Sequence, residues 1–193
     1  MHNEAQRFVG KTVGPLDLST KRVLDIGSYD INGSPRAIFA ASPAYVGIDR
    51  REGPGVDVVT EAKDYQPEAK EAFDIAVSCE TLEHADDPAD VIACAWRALK
   101  EGGLLIITAA GPDREPHDVD GQPLGTGRAY TAIDRKLLGK LLADWEDVTI
   151  EYGASHGVAK GDIYATATKP AVAKTVKREA KAETAKDEGE KGE

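Results

Sequence analysis

Short apolar runs and helix-period patterns alternate along most of this chain. The segments 22–27 (RVLDIG), 44–49 (AYVGID), 56–60 (VDVVT), 73–79 (FDIAVSC) and 104–108 (LLIIT) have the length and β-branched content of buried strands. Between the first two, residues 35–41 predict a short helix, with Ser34 as its cap and Pro35 in its first position. Residues 87–100 predict a second helix: Asp87 caps it, Pro88 opens it, Val91, Ile92, Ala95 and Leu99 form one apolar stripe, and Gly102-Gly103 ends it. A Gly/Pro-rich loop over 111–128 leads to a helix at about 132–145, and strands are expected near 148–152 and 163–168. Strands alternating with helices predict an α/β fold, doubly wound, with a mostly parallel seven-stranded sheet and helices on both faces. The last two strands have no room for a crossover helix between them, so the last strand is expected to be antiparallel. A short helix over 3–11 is expected to lid whatever binds at the strand ends.

The alternation stops near residue 170. Residues 171–193 are Ala, Lys, Glu, Thr and Gly with little else, and their six basic and six acidic residues cancel. Such a segment buries too little apolar surface to offset its ordering entropy, so a disordered charged tail is expected after a single domain over 1–170. The net charge of −10 therefore belongs to the domain. An acidic domain disfavours nucleic acid as a partner, because that binding depends on neutralising phosphates. No run approaches the roughly 20 apolar residues of a membrane span, and the first residues lack a basic start followed by an apolar stretch. A cytoplasmic protein without membrane contact is expected, with its two cysteines, Cys79 and Cys94, as reduced buried thiols.

In open α/β sheets ligands bind beyond the carboxyl ends of the strands. Here the first strand ends Asp25-Ile26-Gly27-Ser28, the second ends in Asp49, and the third ends Glu61-Ala62. A glycine leaving a strand permits a tight turn and close ligand approach, and an acid ending the second strand can accept hydrogen bonds from both hydroxyls of a ribose. Taken singly, each feature also reads as a turn glycine or a solvated acid; three at consecutive strand ends favour a site. The fourth and fifth strands lead to Glu80-Thr81-Leu82-Glu83-His84 and His117-Asp118, which would share the same rim. A nicotinamide oxidoreductase would use a similar acid but needs fully spaced glycines opening a long helix, which this chain lacks.

Residues 22–111 resemble the class I S-adenosylmethionine-dependent methyltransferases in VLDIGS (23–28), YVGIDRREGPGVDVVTEA (45–62), FDIAVSCETLEHADDP (73–88) and LKEGGLLIITAAG (99–111). The resemblance implies a Rossmann-like methyltransferase fold and S-adenosyl-L-methionine as cofactor. It implies that Asp25 and Gly27 line the methionine end, that Ser28 beside them belongs to the cofactor site, that Asp49 holds the ribose hydroxyls, and that Arg50 flanks the adenine. Glu61 and Ala62 would contact the adenine edge, and Ser78, Cys79 and Glu80 would pass beneath the reactive methyl. The chain departs from the family where spaced glycines normally follow the first acid: Tyr29 and Ile31 stand there instead, and glycine returns only at Gly33. Catalysis is assigned to His84 or His117, as a general base or an orienting group. The alternative is that Glu80, Glu83, His84 and His117 hold a divalent metal, since two carboxylates and two imidazoles suit such an ion, and the Glu-x-x-Glu-His pattern at 80–84 resembles that of ubiquinone-pathway O-methyltransferases and of enzymes that methylate the 2′-hydroxyl at small-RNA 3′ ends. A third possibility is that these residues only shape the loop and cap the next helix. The expected activity is O- or N-methylation of a small-molecule acceptor. The alternatives are a nucleic-acid or protein methyltransferase, for example at an RNA 2′-hydroxyl, and a non-catalytic cofactor-binding interaction module.

Overall fold

The computed structural model describes residues 3–67, 73–155 and 157–171. Of the expected tail over 171–193, residues 172–193 lie outside them.

Seven strands form one sheet: β1 (Arg22–Ile26), β2 (Ala44–Asp49), β3 (Val58–Val59), β4 (Phe73–Cys79), β5 (Leu99–Ala110), β6 (Glu146–Ser155) and β7 (Val158–Thr168). Their order is β3-β2-β1-β4-β5-β7-β6. Strands β1 to β5 pair in parallel, and β7 is antiparallel to both of its neighbours. The chain moves outward one way through β1, β2 and β3 and the other way through β4 and β5, so the order reverses beside β1. That reversal opens a crevice at the carboxyl ends.

Both faces are covered, which is why β1 and β4 are nearly continuous apolar runs. On one face, Val9 and Val13 of α1 (Asn3–Val13) join Phe39 against Val23, Ile75, Val77 and Ile106. On the other, α2 (Pro88–Ala98) and α3 (Arg135–Leu141) cover Leu24, Ile26, Ala76, Leu105 and Ile107. The Asp87 side chain accepts the Ala89 N–H at 2.9 Å, as expected of the residue that caps α2.

Several elements differ from expectation for identifiable reasons. Residues 35–41 form only a 3₁₀ turn, Pro35–Phe39, although the Ser34 cap is present. β3 shrinks to two residues because Asp57 is diverted: its carboxylate accepts the Gly47 N–H and pairs with Arg36. α3 starts late because Asp134 caps it, accepting the Leu137 N–H at 2.7 Å. Gly102-Gly103 does not end α2. The helix stops at Ala98, and the glycines lie inside β5, where Gly102 adopts φ +72° and both exchange backbone bonds with Lys169. α1 packs against the sheet face, and none of its residues lines the strand-end cavity, so it is not the expected lid.

Candidate functional site

One cavity lies at the carboxyl ends, bounded by the loops after β1, β2, β3 and β4. Gly27, at φ +85°, turns the chain out of β1 and passes so close to Thr81 that a Cβ there would fall 2.1 Å from its hydroxyl. The backbone N–H groups of Gly27 and Ser28 are not free for a ligand, because both donate to the Ile48 carbonyl. The Ser28 side chain is buried against Gly47, and its hydroxyl finds no partner among the described residues.

The missing spaced glycines are compensated by interlocking the 28–33 and 50–55 loops. Asp30 donates its N–H to the Pro54 carbonyl, and Gly33 donates to the Asp30 carboxylate at 2.7 Å. The Tyr29 ring lies where a Cβ on Gly53 would be, with the Arg51 guanidinium 4.4 Å above its centroid. Asp49 then accepts the Arg51 N–H at 2.9 Å on one oxygen and the Tyr29 N–H at 3.4 Å on the other. Arg50 reaches the cavity beside Asp86, at 3.7 Å. Arg97 holds the turn that carries Glu61 and Ala62 by donating to the carbonyls of Ala62, Lys63 and Tyr65.

Of the ten residues assigned to a cofactor, Asp25, Gly27, Ser28, Asp49, Arg50, Glu61, Ala62, Cys79 and Glu80 line this cavity. Ser78 does not. It is fully buried within the sheet, and its hydroxyl donates to the Ile26 carbonyl, tying β4 to β1. Burial pushes the Cys79 thiol well above its ordinary range, so it stays protonated. Asp25 is 1% exposed and accepts the Tyr45 hydroxyl at 2.6 Å. Burial raises its carboxyl to about 7, against the downward pull of the phenol bond.

A second group stands beside the cavity. Leu82–His84 is a 3₁₀ turn, and the Thr131 N–H, donating to the Glu83 carbonyl at 2.8 Å, fastens the 111–134 loop to it. The rings of His84, His117 and Tyr130 form a triangle with centroids 5.2 to 5.7 Å apart. Ligand atoms of Glu83, His84 and His117 lie within 4.8 Å of one another. Glu80 stands outside that set; its carboxylate is 3.9 Å from Arg114, which pairs with buried Asp162 at 2.9 Å. Glu83 is fully buried; one oxygen accepts the Ala110 N–H and the other finds no partner among the described residues. Burial, then the charge of Glu80, raises its carboxyl to about 8. Burial, then the neighbouring His117, lowers His84 to about 4, so it is neutral at neutral pH. His117 Nδ1 lies 2.9 Å from the Glu115 carbonyl, which can only accept; Nδ1 therefore carries the proton and Nε2 is left as an acceptor. The Tyr130 hydroxyl is buried without a partner among the described residues, and its pKa rises to about 12 through burial.

Sequence reading passed over Tyr45, Arg36 and Arg97, and named Arg114 only as part of the loop before α3, without the ion pair it makes with Asp162. For Tyr45 a signal existed: Asp25 registers with Gly47, and Tyr45, two residues earlier, presents to the same side of the sheet. The arginines act across loops and left no periodic trace.

Residues 28–107 match the family described as "Methyltransferase domain". A ubiquinone biosynthesis O-methyltransferase from Pseudomonas entomophila (strain L48) is 33% identical over 110 residues, covering 48% of this chain and 46% of that enzyme. The chain thus spans about half the length of that curated relative. A structure of Burkholderia thailandensis 1,6-didemethyltoxoflavin-N1-methyltransferase, with 1,6-didemethyltoxoflavin and S-adenosylhomocysteine bound, superposes with TM-score 0.64 at 18% identity, over 88% of this chain and 78% of that one. Haemonchus contortus phosphoethanolamine N-methyltransferase 2 in complex with S-adenosyl-L-methionine gives 0.65 at 17% identity, over 88% and 53%. N-methyltransferase NodS from Bradyrhizobium japonicum WM9 gives 0.59 at 15%, over 88% and 98%. The fold is the Rossmann-like fold of these methyltransferase structures, and residues 28–107 match the methyltransferase-domain family.

Proposed function

We propose that this class I methyltransferase domain binds S-adenosyl-L-methionine at the strand-end cavity and methylates a hydroxyl of a small-molecule acceptor held beside His84, His117 and Tyr130. One observation carries the reading: the polar residues ending three consecutive strands, Asp25, Asp49 and Glu61, open onto one cavity that the 79–87 segment completes. These residues fit the cofactor. Acids meet its cationic end and its ribose, and the unpartnered Ser28 hydroxyl remains to be satisfied. When bound, the cofactor supplies a methyl group activated on a sulfonium. The protein holds the acceptor in line and removes its proton. His117 Nε2 is the base, fixed in its tautomer by the Glu115 carbonyl. Tyr130, protonated throughout the working range, donates a hydrogen bond to the acceptor. The acidic charge of the domain and the small-molecule relatives support a small acceptor over nucleic acid.

A second reading of the same cluster follows from the unpartnered Glu83 oxygen. One carboxylate and two imidazoles suit a divalent ion, which would lower the pKa of an acceptor hydroxyl. A thermal shift on adding magnesium or manganese, lost in Glu83→Ala, would support it; melting unchanged by metal and by chelator overturns it.

Calorimetric titration with S-adenosylhomocysteine tests the main reading. Micromolar binding is expected, and no binding at millimolar ligand by folded protein overturns it. Transfer of labelled methyl from the cofactor to a panel of phenols and alcohols then identifies the acceptor.

A further inference from the structure

Asp25 lines the cavity although it is 1% exposed. Its Oδ2 accepts the Tyr45 hydroxyl at 2.6 Å across the β1–β2 pair. The ring of that phenol is itself packed: the Arg36 guanidinium lies over it, 4.5 Å from its centroid, and the Phe39 ring lies at 5.8 Å. Arg36 is itself held, donating to the Gly55 carbonyl at 3.0 Å and pairing with Asp57. It comes from the 3₁₀ turn that replaces the expected helix after the reshaped 28–33 loop. The departure from spaced glycines and the arrival of a cation above Tyr45 are therefore parts of one local rearrangement.

We propose that Tyr45, held beneath Arg36, is a positioning residue that aims the Asp25 carboxylate at the cationic end of the bound cofactor. A guanidinium on the face of a phenol draws electron density from the ring and strengthens the O–H as a donor. Burial and the adjacent Asp25 push the phenol far above its ordinary range, so Tyr45 donates its proton at every working pH. The short bond also fixes the carboxylate plane, which a lone buried acid would leave to rotate.

The inference rests on the cofactor reading above. Asp25 is faced by Tyr45 and Asp49 from β2, Arg36 from the 3₁₀ turn, Asp57 from the loop before β3, and the Cys79 thiol from β4. Arg36 and the Tyr45 bond draw its proton affinity down, whereas burial, Asp49 and Asp57 raise it. Without a ligand, the carboxylate titrates near neutrality, and a cationic ligand favours the ionised form. Binding is then coupled to loss of the Asp25 proton.

Calorimetric titration with S-adenosyl-L-methionine, which carries the sulfonium charge, between pH 5.5 and 9 tests this in wild type, Tyr45→Phe and Asp25→Asn. Wild-type affinity is expected to rise through about pH 7. Tyr45→Phe keeps the ring under Arg36 but loses the donor. Its curve should move up by about one pH unit, so that affinity near pH 6.5 falls about tenfold and recovers by pH 9. Asp25→Asn should bind weakly with no such rise. A Tyr45→Phe curve that superposes on wild type, or falls equally at every pH, overturns the inference while leaving the cofactor reading intact. Wild type that fails to bind at any pH overturns both. Should Tyr45→Phe not fold, a wild-type pH profile in Asp25→Asn is sufficient to overturn it.

Discussion

Asp49 and Glu83 are both carboxylates on the same rim, and their surroundings treat them oppositely. Asp49 is met on both oxygens by backbone N–H groups of its own neighbourhood, in loops that lock together through Tyr29, Arg51 and Gly53. Glu83 is deeper, has one oxygen satisfied, and keeps the other bare beside two imidazoles and an unpartnered phenol. A buried polar group without a partner costs about 1–3 kcal/mol, and a protein retains several together only where something else completes them. On the reading proposed above, the side formed by the ends of β1–β3 holds a ligand with carboxylates already fixed by the protein, and the Ser28 hydroxyl is the group there that lacks a partner among the described residues. The side formed by the loops after β4 and β5 leaves a Glu83 oxygen and the Tyr130 hydroxyl without partners among the described residues, where the proposed function puts the reacting group.

That contrast can be broken from either side. The largest effect is expected for His117→Ala: a loss of roughly 10²- to 10⁴-fold in kcat, with S-adenosylhomocysteine affinity unchanged in calorimetry. A comparable loss of cofactor affinity would erase the distinction between the sides. Asp49→Ala should instead weaken S-adenosylhomocysteine by about 10- to 100-fold, the value of hydrogen bonds to a charged group. Unchanged affinity would remove Asp49 from the ribose site.

Next comes the pH dependence of folding. Glu83 rises from an ordinary 4.5 to about 8 in the folded chain, so the folded state holds its proton more tightly than the unfolded one. Its contribution is fully present below about pH 4.5 and is lost as pH rises through about 8. Melting temperatures of wild type should fall across that window relative to Glu83→Gln, and parallel curves would contradict the burial argument. The smallest effect is a gain: Tyr130→Phe removes an unsatisfied hydroxyl and should raise stability by about 1 kcal/mol, or roughly 2–4 °C in a thermal melt, while slowing methyl transfer. A lower melting temperature would mean that the hydroxyl serves the fold instead.

Much of the scaffold is legible in the residues because each element is announced locally. β2 and β4 fall where their apolar runs lie, and the Asp87-Pro88 start of α2 is a chemical signal that needs no partner. Gly102-Gly103 misleads because a glycine pair looks alike whether it caps a helix or bends a strand; the Lys169 backbone, far along the chain, decides the matter. Ser78 misleads for a related reason: which neighbour a polar side chain inside a buried strand bonds is set by strands not yet placed. Glu80 was grouped with the metal ligands by its spacing, but its φ of +52° and the Arg114 ion pair turn it elsewhere. Residues whose role depends on a loop-to-loop contact, Arg36 and Arg97 among them, leave no period to read.

β7 is the last described strand along the chain, yet it lies inside the sheet, hydrogen-bonded to β5 on one side and β6 on the other. Until it arrives, β5 has an open edge and β6 has no sheet to join. It also carries Asp162, the anchor for Arg114 in the loop that follows β5. Assembly of the reactive corner must therefore wait for the final β-pairing, a long-range closure of the kind that slows folding. A chain interrupted before Val158 would hold all the cofactor-side residues and still be unable to settle the loop that faces them.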